Sequence, residues 1–190
     1  MEQELISIVV PVYRAERYIE ETMDCVRAQT YPHWELLLVE DCGPDRSREI
    51  IEQYIQRTGD TRIRMLTYSA NLGAARARNL GVKKKGRYLA YLDADDLWTP
   101  DKLEKELAFL KEKQAAFVFT GYEFADENGK GTGKIVRVPA TITYKEALKN
   151  TTIFTSTVMF DMEQLSKEQL QMPQIKSEDT ALWWRILREG

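Results

Sequence analysis

The chain has 190 residues, with 27 Lys and Arg against 30 Asp and Glu and a formal net charge of −3. With 43% hydrophobic and 30% charged residues, the composition is that of a globular domain, which excludes a disordered chain and argues against nucleic-acid binding. Two cysteines and one histidine are too few for a disulfide framework, a zinc ribbon or a three-histidine metal site. Acid–base chemistry therefore falls mainly to carboxylates.

The first half of the chain alternates between strand and helix patterns. Residues 5–12 are β-branched and almost continuously apolar, which predicts a central strand of a parallel sheet that is covered on both faces. Apolar residues at helical spacing alternate with further short apolar runs. The predicted strands are 5–12, 35–39, 63–68 and 87–92, and the predicted helices are 15–30, 73–84 and one from about Asp45.

The second half is less regular. A helix is predicted after Pro100 and a strand over 116–124. The turn-rich residues 126–133 predict a hairpin or a mobile loop. The remaining predictions are a short helix with a capping box of Thr143 and Glu146, a strand at 156–160 and a final helix after Ser177.

These elements predict an α/β fold with a Rossmann-like open sheet, mixed but mainly parallel, and helices on both faces. Neither a repeat nor a linker divides the sequence, so residues 1–190 are predicted to form a single domain. The N-terminus carries no signal-peptide charge and the apolar run 6–12 is too short for a membrane span. We expect a cytoplasmic protein, and peripheral contact with the inner face of the plasma membrane stays open.

Acidic residues follow the predicted strand ends, where open α/β sheets bind their ligands. Converging like charges must be offset by a metal, by hydrogen bonds or by protonation, and we expect a divalent cation to offset these. The alternative is that the acids form turns or cap a helix, where one carboxylate contributes about 0.3–1 kcal/mol. The seven acids are Glu40, Asp41, Asp93, Asp95, Asp96, Glu178 and Asp179.

The usual nucleotide signatures are missing from the sequence. No GxGxxG follows the first strand, and no GxxxxGK[ST] occurs. A bound nucleotide would have to be held differently: Asp41 would bond a base edge, Tyr13 would pack on the base, and a metal would bind the diphosphate.

Six motifs together resemble the motif series of family 2 glycosyltransferases, across nearly the whole chain. Each motif alone is weak, but the six occur in order and coincide with predicted strand and helix ends. The resemblance implies a GT-A fold, with residues 1–98 as the half that binds the nucleotide-sugar and 99–190 as the acceptor side. The motifs are 7–13 (SIVVPVY), 29–32 (QTYP), 35–41 (ELLLVED), 71–73 with 77–81 (NLG, ARNLG), 92–98 (LDADDLW) and 177–183 (SEDTALW).

The resemblance also implies roles for individual residues. Asp179 would be the catalytic base, and Asp95 of the DxD motif the direct metal ligand. The implied nucleotide-sugar contacts are Pro11 and Tyr13 in the nucleotide pocket, Asp41 on the base, Arg78 near the diphosphate and Asp93 as the first DxD acid.

Two places depart from the family pattern. Arg14 stands where family members commonly have Asn, and residues 40–43 (EDCG) stand where an Asp-Asp-Gly-Ser run is common, which bears on the choice of nucleotide. Cys42 is interpreted as a small buried residue, since nothing nearby marks it as a nucleophile. Trp183 and Trp184 are interpreted as core and rim.

The implied activity is inverting transfer of a sugar from a nucleotide diphosphate, with UDP expected, onto a cell-envelope polysaccharide or lipid-linked acceptor. Mn²⁺ or Mg²⁺ would be the cofactor. Two alternatives stay open: a non-catalytic module that binds a sugar nucleotide or glycan, and a metal-dependent nucleotidyltransferase. The final predicted helix stands at the end of the given sequence, and the resemblance implies further helices that close the acceptor side.

Overall fold

The structure is a computed structural model that describes residues 4–83, 86–149 and 152–189. Its strands are β1 Ile6–Val12, β2 Trp34–Glu40, β3 Ile63–Thr67, β4 Tyr88–Tyr91, β5 Phe117–Phe119, β6 Tyr122–Ala125, β7 Gly131–Val136 and β8 Val158–Asp161. Its helices are α1 Ile19–Arg27, α2 Ser47–Thr58, α3 Ala74–Gly81, α4 Lys102–Lys113, α5 Tyr144–Ala147, α6 Lys167–Leu170 and α7 Glu178–Glu189.

Six strands form one mixed sheet in the order β3-β2-β1-β4-β8-β5. The four strands from β3 to β4 are parallel, whereas β8 runs antiparallel to both β4 and β5. The parallel strands end at one edge, and β8 begins at that same edge because it runs the other way. The predicted α/β fold with a mainly parallel sheet is confirmed.

Helices cover both faces of this sheet. Along β1, Ile8 and Val10 contribute to the core under α1, α2 and α4, whereas Val9 contributes to the opposite core under α3 and α7. Alternate strand residues point to opposite faces, so a strand buried on both sides must be apolar throughout. This explains the nearly unbroken apolar run of β1.

The packing of α3 on β1 is close enough to require a glycine. A Cβ atom on Gly81 would lie 2.5 Å from Val9 Cγ2 and 2.8 Å from Leu89 Cδ1. Any larger residue would push α3 away from the sheet, and α3 carries Arg78. The glycine of the ARNLG motif therefore sets the height of Arg78 above the sheet.

Two predicted elements differ from the structure. The strand predicted over 116–124 divides into β5 in the main sheet and β6, which pairs with β7 in a separate two-stranded sheet. The division falls at Gly121, where a Cβ atom would lie 2.7 Å from the carbonyl oxygen of Val136. Residues 126–130 of the turn-rich stretch connect β6 and β7, and 131–133 already belong to β7, so the hairpin, one of the two predicted alternatives, is confirmed.

The helix predicted over 15–30 begins only at Ile19, because Arg14 adopts a left-handed conformation with φ of 53° and a turn follows it. The helix predicted over 73–84 ends at Gly81, and Lys84 lies outside the described residues. The strand predicted over 156–160 starts at Val158, after a 3-10 turn at Thr155–Thr157. The capping box of Thr143 and Glu146 is confirmed.

Candidate functional site

An exposed aromatic ring follows the first strand, at the edge where the parallel strands end. Pro11 lies within β1 opposite Val39 of β2, and Tyr13 follows the strand with 45% of its surface exposed. The guanidinium carbon of Arg14 lies 5.3 Å from the Tyr13 ring centroid, a cation–π distance. The structure therefore leaves the Tyr13 ring accessible at this edge, as its predicted nucleotide contact requires.

Asp41 follows β2 and is buried beneath the start of α3. Its two carboxylate oxygens accept hydrogen bonds from the backbone N–H groups of Leu72 and Gly73, both at 2.7 Å. Gly73 has a φ of 83°, a left-handed conformation that glycine adopts without a Cβ clash. Each carboxylate oxygen can accept a second hydrogen bond, so a contact with a base stays a prediction.

Cys42 is exposed rather than buried, so its interpretation as a small core residue is wrong. It adopts a left-handed φ of 56° directly after the strand, which turns the chain out of the sheet. Cys25 on α1 is the sheltered thiol, and burial raises its pKa to about 11.

Arg78 joins two of the predicted acidic groups. Its Nη2 atom donates to Asp93 Oδ1 at 2.5 Å and its Nη1 atom donates to Glu178 Oε1 at 3.0 Å. Burial alone lowers the pKa of the guanidinium, but the charges of Asp93 and Glu178 outweigh burial and raise it. The guanidinium thus ties the end of β4 to the first turn of α7.

The Nε atom of Arg78 is buried and has no hydrogen-bond partner among the described residues. The same holds for the nearby Tyr91 hydroxyl, whose pKa is raised by burial. Buried donors without partners are rare in folded proteins, and they mark places where a ligand or an ordered water completes the structure.

The acidic turn after β4, residues 93–96, is organised by Ser156. The Ser156 hydroxyl accepts from the Asp93 backbone N–H at 2.9 Å and donates to Asp96 Oδ2 at 2.5 Å. Its carbonyl accepts from Trp98 Nε1 at 2.7 Å. Burial, opposed by the hydrogen bond from Ser156, raises the pKa of Asp96 to about 6, and the charges of Asp93 and Asp95 add to the rise.

Asp179 lies in the first turn of α7. Its Oδ2 atom accepts from the Thr155 hydroxyl at 3.1 Å, and its Oδ1 atom accepts from the Thr180 backbone N–H at 2.7 Å. Thr155 precedes Ser156, so one buried dipeptide contacts both the acidic turn and Asp179. The end of β4 and the start of α7 are thereby held together twice, by this dipeptide and by Arg78.

Six of the seven acids have hydrogen-bond or ion-pair partners within the protein. Glu40 accepts from the Gly43 backbone N–H at 2.7 Å, and the other five have the partners given above. Asp95 is exposed, and within residues 4–83, 86–149 and 152–189 its side chain has neither a hydrogen bond nor an ion pair. No three His, Cys, Asp or Glu side chains converge on a metal position among these residues.

Sequence reasoning missed Thr155 and Ser156. They lie at the start of a predicted strand, and nothing in their local pattern distinguishes them from ordinary strand residues. The partnership of Arg78 and Glu178 was also missed, because these residues are 100 positions apart. Trp183 is buried and Trp184 partly exposed, which confirms the interpretation of core and rim.

Comparison with solved structures identifies the class of fold. The structure of Staphylococcus aureus TarS residues 1–349 in complex with UDP-GlcNAc matches with a TM-score of 0.75 at 22% identity, covering 96% of this chain and 53% of that one. The mannosyltransferase PcManGT from Pyrobaculum calidifontis, in complex with GDP-Man and Mn²⁺, matches with a TM-score of 0.73 at 20% identity, covering 96% and 51%. The fold is that of GT-A glycosyltransferases, and the chain spans about half the length of these solved chains.

The sequence assigns the family. Residues 7–166 match the family model "Glycosyl transferase family 2". The chain therefore belongs to glycosyl transferase family 2, and the resemblance found in its motifs is confirmed.

Two curated relatives are similar over the whole chain. TuaG of Bacillus subtilis, a glycosyltransferase named for teichuronic acid biosynthesis, is 44% identical over 188 residues, covering 98% of this chain and 73% of TuaG. WfgD of Escherichia coli, a UDP-Glc:alpha-D-GlcNAc-diphosphoundecaprenol beta-1,3-glucosyltransferase, is 36% identical over 191 residues, covering 100% and 72%. Among the described residues, no helix is both long and apolar enough to cross a membrane.

Proposed function

We propose that this chain is the catalytic domain of an inverting, metal-dependent glycosyltransferase that uses a UDP-sugar. Its acceptor would be a lipid-linked or cell-envelope glycan, which the names of WfgD and TuaG support. UDP as the nucleotide is supported by the name of WfgD and by the UDP-GlcNAc complex of TarS. Residues 1–98 would bind the donor and residues 99–190 would form the acceptor side. A cytoplasmic location stays a prediction.

The observation that carries this proposal is the pair of carboxylates at one edge of the sheet. Asp95 is exposed and has no side-chain partner in the part of the chain that the structure describes, and Asp179 is linked to the same acidic turn through Thr155 and Ser156. The transfer requires one carboxylate that binds a cation and one that accepts a proton. The free acid suits the first task, and the hydrogen-bonded acid suits the second.

The residues present fit a hard divalent cation. Mg²⁺ typically binds one or two carboxylates together with substrate phosphate oxygens and several waters, so a dedicated cluster of three protein ligands is not required. Asp95 would supply the carboxylate, and Asp93 would orient the turn through its salt bridge with Arg78. When bound, the cation would stabilise the negative charge that develops on the leaving diphosphate.

Asp179 would act as the general base. The hydroxyl oxygen of the acceptor forms a bond to the anomeric carbon while the bond from that carbon to the diphosphate oxygen breaks. The hydroxyl proton passes to the Asp179 carboxylate, and the nucleoside diphosphate leaves with the bonding electron pair. Attack opposite to the leaving group inverts the anomeric centre. Thr155 donates to Oδ2 of Asp179 and so fixes the orientation of the carboxylate.

The donor pocket would be formed by Pro11, Tyr13 and Asp41 at the ends of β1 and β2. Tyr13 offers an exposed ring on which a base can stack, and Asp41 is immobilised by two backbone donors. Arg78 would act near the diphosphate mainly by holding Asp93 in place.

The two thiols provide a test of the donor pocket that does not need activity. Cys42 is exposed directly after Asp41, whereas the raised pKa of Cys25 keeps that thiol protonated and slow to react. UDP with Mn²⁺ should protect Cys42 from iodoacetamide, and Cys25 should react only after unfolding. Equal alkylation of Cys42 with and without UDP would contradict this pocket.

The reaction is tested with UDP-glucose, Mn²⁺ and a GlcNAc-diphospho-lipid as acceptor. Release of UDP with a new sugar on the lipid supports the proposal. In a separate reaction with UTP and glucose 1-phosphate, release of pyrophosphate together with formation of UDP-glucose would instead identify a nucleotidyltransferase. Heat of UDP binding with neither transfer nor hydrolysis of UDP-glucose would identify a non-catalytic binding module.

A further inference from the structure

A cavity of about 620 Å³ lies beside the acidic turn, between the start of α1 and the hairpin of β6 and β7. Asp95 and Asp96 form part of its wall, as do Phe154 and Ser156. The five residues assigned to the nucleotide-sugar are not among its lining residues; they are Pro11, Tyr13, Asp41, Arg78 and Asp93. It is therefore a second space at the same edge of the sheet, with Asp95 at its border.

One wall of this cavity is aromatic. The ring centroids of Tyr122 and Phe154 lie 5.0 Å apart with their planes tilted by 32°, and that of Phe124 lies 5.7 Å from Tyr122. Phe154 is 36% exposed, although it lies next to the buried Thr155. Phe124 is 42% exposed with the Lys134 ammonium 4.1 Å from its ring centroid, and Tyr122 is half-buried. Tyr122 and Phe154 are the more closely packed pair, and we take them as the platform. Exposed rings that converge on a cavity are typical of binding sites, since their apolar faces have no partner in the protein.

Among the residues that the structure describes, the charged part of the lining consists of five acids and one lysine. This lysine, Lys102, is buried, donates to Glu106 at 2.5 Å and lies 4.4 Å from the Trp98 ring centroid, so its charge is already balanced. An acidic cavity disfavours phosphate and carboxylate ligands, whereas ionised carboxylates accept hydrogen bonds from hydroxyl groups. The acidic lining residues are Glu21, Asp95, Asp96, Glu123 and Asp126.

We propose that this cavity binds a neutral pyranose ring of the acceptor, with Tyr122 and Phe154 as the stacking platform. A pyranose presents an apolar C–H face to the rings and hydroxyl donors to the carboxylates, which is the ligand chemistry that both walls favour together. Assigning the bound sugar to the acceptor rests on the proposed function, because the donor also carries a neutral sugar. The position of the cavity outside the nucleotide pocket favours the acceptor.

The test measures sugar binding directly, by saturation-transfer NMR on the 190-residue chain with methyl β-glucoside and methyl β-N-acetylglucosaminide as probes. Tyr122→Leu and Phe154→Leu should each weaken binding of the better probe at least fivefold, because each removes a stacking face. Two variants are used because Tyr122 lies in the hairpin and Phe154 does not. Phe109→Leu, at an exposed ring of α4 outside the lining, is the matched control and should bind as the unmodified chain does.

Charge and competition provide two further readouts. Methyl glucuronide should bind at least fivefold more weakly than methyl glucoside, because the cavity is acidic. UDP with Mn²⁺ should not displace the glucoside. Displacement by UDP-glucose but not by UDP would show that the cavity holds the donor sugar, and would overturn the proposal.

Failure of this inference can be distinguished from failure of the proposed function. If UDP protects Cys42 and UDP-glucose is turned over, but both aromatic variants bind the probes normally, the cavity assignment is wrong while the glycosyltransferase stands. If the probes bind and the two aromatic variants weaken that binding, but UDP does not bind, the cavity is a sugar site. Its assignment to a glycosyltransferase acceptor is then wrong.

Discussion

The two sheets of this protein are stabilised in opposite ways. All four residues of β4 are buried between helices, whereas most residues of the β6–β7 hairpin are exposed. An isolated two-stranded hairpin is marginally stable in water, so this one depends on its few contacts with the rest of the domain. One such contact is the exposed ion pair of Arg17 with Glu127 at 3.0 Å.

The difference separates two requirements of a transferase site. The buried sheet holds charged groups at fixed positions, because its strand ends are tied by Arg78 and by the Thr155–Ser156 dipeptide. The hairpin contributes accessible aromatic surface and little core. Changes at the buried edge should therefore alter chemistry, donor binding or stability, and changes on the hairpin should leave stability intact.

The largest expected effect is that of Asp179→Asn. The amide keeps the size of the side chain but does not take up the acceptor proton, so turnover should fall by roughly 10²- to 10⁴-fold. UDP affinity and the melting temperature should stay within error, measured by titration calorimetry and thermal denaturation. Near-normal transfer by this variant would refute the base assignment and direct attention to Glu178.

Removal of Arg78 should reduce stability strongly. Arg78→Met leaves Asp93 and Glu178 close together without their cation, which should lower the free energy of unfolding by about 3 kcal/mol, the low end for breaking a buried pair because both acids are partly exposed. Urea unfolding measures this. Arg57→Met is the matched control, since its ion pair with Glu20 is exposed, and it should cause no resolvable change. A similar loss of unfolding free energy in both variants would contradict a stabilising role for the Arg78 ion pairs.

Asp95→Ala should weaken Mn²⁺-dependent UDP binding by about tenfold or more, the scale of a lost charged contact. Affinity measured without metal should stay the same, because the residues that contact the base are untouched. Asp101→Ala, an exposed acid beyond the acidic turn, serves as control. Unchanged metal-dependent affinity in Asp95→Ala would remove Asp95 from the metal site.

The smallest effect should come from the hairpin surface. Ile135 is 57% exposed on β7, so Ile135→Ser should change the free energy of unfolding by no more than about 0.5 kcal/mol. Leu36→Ala in β2 removes a fully buried side chain and should cost about 2–5 kcal/mol. A large loss from Ile135→Ser in urea unfolding would mean that the hairpin is part of the stabilising core after all.

Sequence reasoning succeeded where one local pattern dictates one structure. The apolar run of β1 predicts a strand buried on both faces, and the spacing of Thr143 and Glu146 predicts a helix start, because each signal is contained within a few residues. It failed at Gly121, where one apolar pattern continues across two separate sheets. The hydrophobic pattern does not reveal which strand an edge residue will pair with.

For the candidate site, the sequence by itself determined which acids stand at the strand ends and which family the motifs resemble. Only the tertiary structure decided what offsets each charge: backbone N–H groups for Asp41, Arg78 for Asp93 and Glu178, Ser156 for Asp96, and no partner among the described residues for Asp95. These partners come from elements far apart in the chain. They meet because β8 runs antiparallel to β4 and α7 packs on the same face as α3, and long-range packing of this kind leaves no local signal in the sequence.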